Sequence, residues 1–156
     1  MHENRADNRQ NPADLASIDG QLAVARTGDV PDRWNLASTY GIDAEVASVL
    51  AGDEDERVLQ ALANNYGVLP EVLATLAAKG KALRDIVARN PFAPPELKGE
   101  LPLREHASLA ISEFLDDMDA SAQQRIKIMF AFNAALADEN AKTTLSEAWR
   151  EVEDEQ

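Results

Sequence analysis

The segment Leu36–Ala51, LASTYGIDAEVASVLA, recurs 26 residues later as Leu62–Ala77, LANNYGVLPEVLATLA. Eight of the sixteen aligned positions are identical: Leu36/Leu62, Ala37/Ala63, Tyr40/Tyr66, Gly41/Gly67, Glu45/Glu71, Val46/Val72, Leu50/Leu76 and Ala51/Ala77. A third copy, VARNPFAPPELKGEL, follows 25 residues further on at Val87–Leu101. Repeats of this length are typical of stacked supersecondary units, each of which buries its apolar face against the next.

Each copy contains two short apolar segments separated by a break. The first segment has the i, i+3, i+4 spacing of a helix face, as in Val58, Ala61 and Leu62 of the second copy and Leu83, Ile86 and Val87 of the third. Glycine or Asn-Pro forms the break. In the second segment Pro70 and Pro95 stand near the first helical position, where a missing N–H is tolerated. This segment spans only one to two turns, so we expect a short helix with 3₁₀ character.

The flanking regions differ from the copies. We expect residues 1–12 to be a disordered arm, residues 13–103 to be the repeat region, and residues 104–156 to be a helical cap with an acidic tail, all in one compact domain. Ser121 and Gln124 have the spacing of a capping box. They predict a helix whose apolar face includes Ile126, Met129, Phe130 and Leu136. Asn140 either caps a separate last helix or lies within one that continues.

Composition favours a helical protein without redox or metal chemistry. The apolar residues are mostly Ala, Leu and Val, and aromatic residues make up 5% of the chain. Cysteine is absent, which excludes disulfides, thiolate nucleophiles and cysteine-bound metals. The chain has no apolar run of membrane-spanning length and no signal-peptide pattern. We therefore expect a soluble, cytoplasmic protein without membrane contacts.

The net charge of −13 argues against direct binding to nucleic acid. The charge is unevenly distributed: residues 43–56 hold six acids and no base, whereas residues 79–104 hold six bases against three acids. The acidity serves either solubility alone or attraction of a basic protein partner. Both interpretations are compatible with the sequence.

The third copy resembles the leucine-rich repeat variant family. It holds seven residues of that family's repeat: Ala88, Asn90, Pro91, Pro94, Pro95, Glu96 and Leu97. It departs at Ala93, where the family usually has threonine. The resemblance extends over about residues 33–103 and is weaker in the first two copies. It implies a right-handed superhelix that alternates α-helices with 3₁₀-helices, and it implies no particular activity. Some members add a cysteine cluster, which this cysteine-free chain cannot form.

Two groups of residues are candidates for partner binding. Tyr40 and Tyr66 occupy equivalent positions, so they are expected in a row on one face, with Asn65 and Asn90 nearby. They either pack the repeats together or supply recognition area, for which tyrosine is well suited. Arg84 and Arg89 lie near Lys79 and Lys81 and either hold an acidic peptide or phosphate or simply offset neighbouring acids. Trp34 and Trp149 are expected to be half-buried helix ends or, alternatively, interface anchors.

No enzymatic motif accompanies these candidates. The acidic runs Asp53–Glu56 and Asp116–Asp119 lack the central glycine and the terminal glutamate of an EF-hand loop. The chain has no P-loop, dinucleotide-binding glycine motif, nucleophile elbow or HExxH helix. We therefore predict no catalytic residue, cofactor or metal.

The sequence thus predicts an all-α protein: a short helical-repeat solenoid of about three repeats of 25–26 residues, closed by longer C-terminal helices. The predicted function is a non-enzymatic protein-binding module. One alternative is an acidic inhibitor of the immunity or nucleic-acid-mimic type that blocks a basic partner. A second alternative is an enzyme of unrecognised type that uses Arg84 or Arg89 with a carboxylate.

Overall fold

The computed structural model describes residues 15–155, and the predicted arm at residues 1–12 lies outside them. The described chain is all-α, with no β-strand between residues 15 and 155. Its helices are α1 Ile18–Thr27, α2 Val30–Ala37, α3 Ala44–Leu50, α4 Glu56–Ala63, α5 Pro70–Ala77, α6 Lys81–Arg89, α7 Pro95–Gly99, the 3₁₀-helix η1 Leu103–Glu105, α8 Ser108–Asp117, α9 Ala122–Ala137 and α10 Leu145–Val152. Over the same residues, no helix is both long enough and apolar enough to cross a bilayer.

Aspartate or proline marks the helix starts in the copies, except for α6, which follows Gly80 without a side-chain cap. Asp43 and Asp55 cap α3 and α4, where their side chains accept hydrogen bonds from the backbone N–H groups of Glu45 and Arg57 at 2.9 Å each. Pro70 and Pro95 are the first residues of α5 and α7, as the sequence predicts. Part of the acidic run at residues 43–56 therefore caps the N-termini of helices.

The second helix of each copy is an α-helix, so the expected 3₁₀-helices are wrong, although 3₁₀-type i→i−3 hydrogen bonds occur in the first turns of α5 and α7, from Val72 N to Leu69 O and from Leu97 N to Pro94 O at 3.0 Å each. In each of these helices an i→i−4 hydrogen bond closes the first turn: Ala47 N to Asp43 O at 2.9 Å, Leu73 N to Leu69 O at 3.2 Å and Lys98 N to Pro94 O at 3.2 Å. The 3₁₀-helix of the described residues is η1, which follows the third copy. Capping by Asp43 and fixation by the prolines explain how such short segments complete an α-helical turn.

The first helices of successive copies contact one another. α4 packs against α2 on one side and against α6 on the other, and α1 packs against α3. Their buried side chains belong to one apolar cluster that extends from Leu22 to Leu97. Val58 and Leu62 are completely buried in it, which confirms the predicted apolar stripe of α4.

A second apolar cluster holds the C-terminal helices together, and α7 joins it to the first. The second cluster extends from Leu103 to Val152. α7 contacts both α8 and α10, and at this contact Gly99 meets Ser146 so closely that a side chain on Gly99 has no space. Two backbone hydrogen bonds, Leu103 N to Thr143 O at 2.8 Å and Leu145 N to Leu101 O at 3.1 Å, attach the start of α10 to the segment after α7.

The C-terminal helices correct two sequence-based expectations. The capping box of Ser121 and Gln124 is confirmed, but α9 turns a different face inward: Ile128, Phe132 and Ala135 are buried, whereas Ile126 and Phe130 are exposed. This helix is apolar on nearly all sides, so its own periodicity does not select the buried face. α9 and α10 are separate helices, and a capping box begun by Thr144, rather than a cap at Asn140, opens the second.

The junction between the two clusters buries two ionisable side chains. Lys98 is fully buried, and its ammonium donates to the carbonyl of Pro91 at 2.7 Å and lies 3.7 Å from a carboxylate oxygen of Asp117. The imidazole of His106 is also buried; its Nε2 lies 2.8 Å from the carbonyl of Lys98, and its Nδ1 has no partner within the described chain. Burial is the main reason that the pKa values of both side chains are lowered.

Candidate binding groove

Two asparagines connect successive copies at the ends of their first helices. Asn65 donates its side-chain amide to the carbonyls of Ala37 and Thr39, both at 2.8 Å. Asn90 donates in the same way to the carbonyls of Ala63 and Asn65, at 2.8 and 3.1 Å. Ala37 and Ala63 are the last residues of α2 and α4, whose terminal carbonyls lack a partner within their own helix. Each asparagine thus caps the helix of the preceding copy.

Asn65 and Asn90 are therefore structural residues, which corrects their assignment to the binding surface. Asn90 is 2% exposed, and Asn65 is buried as well. Both side-chain oxygens are also occupied, since they accept from the backbone N–H groups of Gly67 at 2.8 Å and Phe92 at 3.0 Å. A side chain with every hydrogen-bonding group engaged inside the protein offers nothing to a partner.

The two predicted tyrosines, at equivalent positions of successive copies, both lie at the surface. Tyr40 is 81% exposed and Tyr66 is 48% exposed. The ring of Tyr66 meets the ring of Phe92 edge-to-face, with centroids 5.8 Å apart. The ring of Tyr40 lies beside the next copy, because a Cβ on Gly67 would stand 3.3 Å from Tyr40 Cδ2. We call Tyr40, Tyr66 and Phe92 the aromatic row.

Glycines allow the copies to approach closely at this row. Gly41 has a φ of +75°, a conformation that favours glycine. Gly67, at the equivalent position of the next copy, has no space for a side chain, because its Cβ would stand 2.5 Å from the backbone nitrogen of Gly41. In the third copy the same position is Phe92, whose ring extends the aromatic row.

An open groove of about 660 Å³ lies between the equivalent loops of the second and third copies. Residues 66–70 form one wall and residues 91–96 form the other, while Glu113 and Asp117 of α8 close one part of it. Val68 and Ala93 are buried, and Leu69 is half-exposed. The groove therefore combines apolar and aromatic walls with carboxylates, an arrangement suited to peptide side chains of mixed character.

Arg84 and Arg89 do not join the aromatic row, and neither lines this groove. The guanidinium of Arg84 pairs with Glu100, which raises the pKa of Arg84 and lowers that of Glu100. Arg89 pairs with Glu105 and also donates to the carbonyl of Asp85 at 3.1 Å. These ion pairs favour the interpretation that the two arginines neutralise neighbouring acids over the interpretation that they bind an acidic peptide or a phosphate.

The acidic runs are engaged locally. Asp53 accepts two hydrogen bonds from Arg33, at 2.7 and 3.3 Å. The side chain of Arg57 bonds to Asp55 and lowers the pKa of that carboxyl to about 2. Asp116 pairs with Arg125 at 2.8 Å. Between residues 15 and 155, no three His, Cys, Asp or Glu side chains converge as they would around a metal ion.

The two tryptophans have different environments. Trp149 is buried and meets Phe114 edge-to-face at 5.9 Å in the C-terminal cluster. Trp34 is partly exposed on α2 and lines a smaller depression of about 340 Å³ beside α4. Trp149 is thus a core residue, and Trp34 lies at the surface.

Sequence reasoning missed most of the groove. Phe92 and the prolines of the third copy are visible in the repeat alignment. Phe92 stands where the second copy has Gly67, and the prolines at 91, 94 and 95 stand where it has Tyr66, Leu69 and Pro70. Glu113 and Asp117 belong to a helix outside the copies, and no pattern in the sequence places them beside Tyr66. A comparison with protein-family models, curated proteins and solved structures finds no significant match to this chain.

Proposed function

We propose that this chain is a non-enzymatic protein-binding module that uses the aromatic row and the groove beside it. The module is built as a short helical-repeat solenoid of the leucine-rich repeat variant type. Supporting the solenoid are the contacts of α4 with α2 and α6 and the recurring asparagine bonds, which join equivalent positions of successive copies. In such an architecture, residues at equivalent positions form extended surfaces.

The exposure of Tyr40 and Tyr66 carries this proposal. Large aromatic side chains that stand at a surface are the residues that contribute most to protein interfaces. Tyr66 is held by Phe92 at 5.8 Å, so little side-chain freedom is lost when a partner covers it. The buried asparagines keep the loops that carry the row in place, so the surface is formed before a partner binds.

The test compares variants of the row with a matched variant elsewhere. The Tyr40→Ala/Tyr66→Ala double variant removes two of its side chains, and Ile126→Ala/Phe130→Ala removes two exposed apolar side chains of α9. Each protein is used as bait in a lysate of the native host, captured proteins are identified by mass spectrometry, and binding is then measured with the purified partner by calorimetry. Circular dichroism melting checks that each variant is folded.

We expect the Kd of the partner to rise about tenfold or more in the tyrosine variant, as is typical when aromatic residues are removed from an interface. Its melting temperature should stay near that of the wild type because both side chains are at the surface. The α9 variant should retain the partner. Equal retention by both variants would contradict the proposal, and loss of folding in the tyrosine variant would assign the tyrosines to packing.

The acidic inhibitor remains a second candidate, favoured by the net charge of −13. An inhibitor that acts through charge should associate with a basic enzyme at a rate that falls steeply with salt. Binding through the aromatic row should depend less on salt. The salt dependence of the association rate with the captured partner therefore separates the two functions.

A further inference from the structure

We infer that the groove binds a short extended segment of its partner, in the polyproline II conformation, that places an arginine or lysine against Glu113 and Asp117. This inference rests on the proposed function and specifies its ligand. The size of the groove, about 660 Å³, is that of a pocket for a drug-sized molecule, which corresponds to a few peptide residues.

The walls of the groove favour a ligand that is recognised through its side chains. Pro70, Pro91, Pro94 and Pro95 line it and have no backbone N–H to donate. The carbonyl of Pro91 is already bonded to Lys98. A ligand that binds as an added β-strand needs free backbone N–H and C=O groups on the wall. A polyproline II segment does not, because its backbone is solvated and has no internal hydrogen bonds. Aromatic-lined grooves are the usual receptors for that conformation.

The aromatic side chains are positioned for apolar residues of such a segment. Tyr66 and Phe92 stand edge-to-face, and Leu69 adds a half-exposed aliphatic side chain on the wall formed by the second copy. The hydroxyl of Tyr66 can also donate to a ligand carbonyl, since the carbonyls of a polyproline II segment are unpaired. Proline-fixed walls and a fixed aromatic pair lower the entropic cost of binding.

The charge of the groove selects a basic residue. Glu96, Glu113 and Asp117 line it, and no lysine or arginine is among its lining residues within the described chain. Across residues 15–155, none of the cations forms an ion pair with Glu96 or Glu113. Asp117 is partly offset by the buried ammonium of Lys98 at 3.7 Å. The same ammonium also interacts electrostatically with Glu113. Glu96, Glu113 and Asp117 together, opposed by this one buried cation, therefore form the counter-charge for an arriving cation.

Fluorescence anisotropy with a peptide series tests the inference on the full chain. The probes are fluorescein-labelled proline-rich decapeptides with one Leu-Pro pair and a single arginine placed at each distance of one to four residues from it. Every peptide is also made with citrulline, which is neutral but has the shape of arginine, and with glutamate. The protein variants are Glu113→Gln, Glu113→Gln/Asp117→Asn, Tyr66→Ala and, as a control for lost negative charge, Glu139→Gln at an exposed position.

At least one arginine peptide should bind the wild type, and its citrulline version should bind about 3–10 times more weakly, as expected for two partly exposed ion pairs. The glutamate version should be weaker still. Glu113→Gln should reduce the preference for arginine and the double variant should remove it, whereas Glu139→Gln should retain it. Glu113→Gln leaves the contact of Asp117 with Lys98 intact, so it is informative even if the double variant is unstable.

Equal affinity for the arginine and citrulline peptides, or no binding by any member of the series, would overturn the inference. Either result leaves the proposed function standing if a captured partner still depends on Tyr40 and Tyr66. If the peptides bind but are insensitive to Tyr66→Ala, the ligand occupies another surface, and the inference is also wrong.

Discussion

The side-chain amide of Asn90 donates to the backbone carbonyl of Asn65 at 3.1 Å, and Asn65 itself donates to the carbonyl of Thr39 at 2.8 Å. The three residues occupy the same position in successive copies. Each asparagine also reaches the last carbonyl of the preceding helix, in α4 or α2. The recurring asparagine therefore supplies a hydrogen-bond donor to the terminal carbonyl of a helix, and it also fixes the distance between neighbouring loops.

Replacement of Asn90 by aspartate tests how much the hydrogen bonds donated by its side-chain amide contribute to stability. The variant Asn90→Asp keeps the shape and the oxygen that accepts from Phe92 N but loses both donors, and it places a carboxylate against two carbonyl oxygens. We expect the free energy of unfolding of this variant, measured with urea at pH 7, to be lower than that of the wild type by at least about 2 kcal/mol. The deficit should shrink at low pH because the protonated carboxyl can donate again.

The matched control for this prediction is Asn64→Ala, one residue before Asn65. Asn64 is exposed, and its amide bonds only to the carbonyl of Gln60 in its own helix. Its substitution should change the unfolding free energy by less than about 0.5 kcal/mol. Similar effects at positions 64 and 90 would contradict the structural role of Asn90.

Gly67 and Gly80 should respond differently to alanine. Gly67→Ala should lower the free energy of unfolding by about 1–3 kcal/mol, because the new Cβ would stand 2.5 Å from Gly41 N, a backbone atom that cannot move alone. Gly80 has extended backbone, and no atom lies within 4 Å of the place that a methyl group would occupy, so Gly80→Ala should stay within about 1 kcal/mol of the wild type. Thermal melts of the two variants give the comparison, and the reverse order of stability would refute the close approach of the two loops.

The contact between α7 and α10 can be tested by a double-mutant cycle. A Cβ on Gly99 would lie 1.9 Å from Ser146 Oγ and 3.2 Å from Ser146 Cβ. Gly99→Ala should therefore destabilise the protein, and removal of the hydroxyl by Ser146→Ala should recover part of the loss. We expect a coupling energy of about 1 kcal/mol from urea unfolding of the four proteins. Strict additivity would mean that the two helices do not meet at this point.

His106 should make stability depend on pH in a narrow window. Burial is the first cause of its lowered pKa, and proximity to the charges of Lys98 and Arg89 adds to it, so the folded protein resists a proton that the unfolded chain accepts. The stabilising contribution is complete above the ordinary histidine pKa of about 6.5 and is lost as the pH falls from there through the lowered folded value. Stability should thus decrease from about pH 7 to pH 5.5.

The variant His106→Gln keeps a polar side chain at this position but does not titrate. Its unfolding free energy, measured by tryptophan fluorescence with the buried Trp149 as one of the two reporters, should vary less with pH over the same window than that of the wild type. An identical slope in both proteins would show that His106 is not the titrating group.

The sequence predicts the helical composition and the starts of α5, α7 and α9. The repeats, the prolines at the first helical positions and the capping box of Ser121 are local signals, each with a mechanism confined to a few residues. The buried face of α9 cannot be predicted in this way, because apolar residues lie all around that helix and its neighbours decide which side is buried. Length alone suggests 3₁₀ character for the short second helices, and it is a poor criterion where a cap or a proline fixes the first turn.

The candidate site is predictable only in part. The repeat places Tyr40 and Tyr66 at equivalent positions, and their exposure agrees with a surface row. The same reasoning assigns Asn65 and Asn90 to that surface, since the sequence does not distinguish an asparagine that faces solvent from one that caps a neighbouring helix. Glu113 reaches the groove through the packing of α8 against α7, a contact without any sequence signature.

The most direct test of the joined copies is the hydrogen exchange of the asparagine side-chain amides, measured by NMR. Both protons of Asn65 and of Asn90 should be strongly protected, because each is donated to a carbonyl inside the protein. The exposed amide of Asn64 should exchange rapidly in the same sample. Exchange of Asn65 and Asn90 as fast as that of Asn64 would mean that the copies are not joined at these positions, and the aromatic row would have no fixed support.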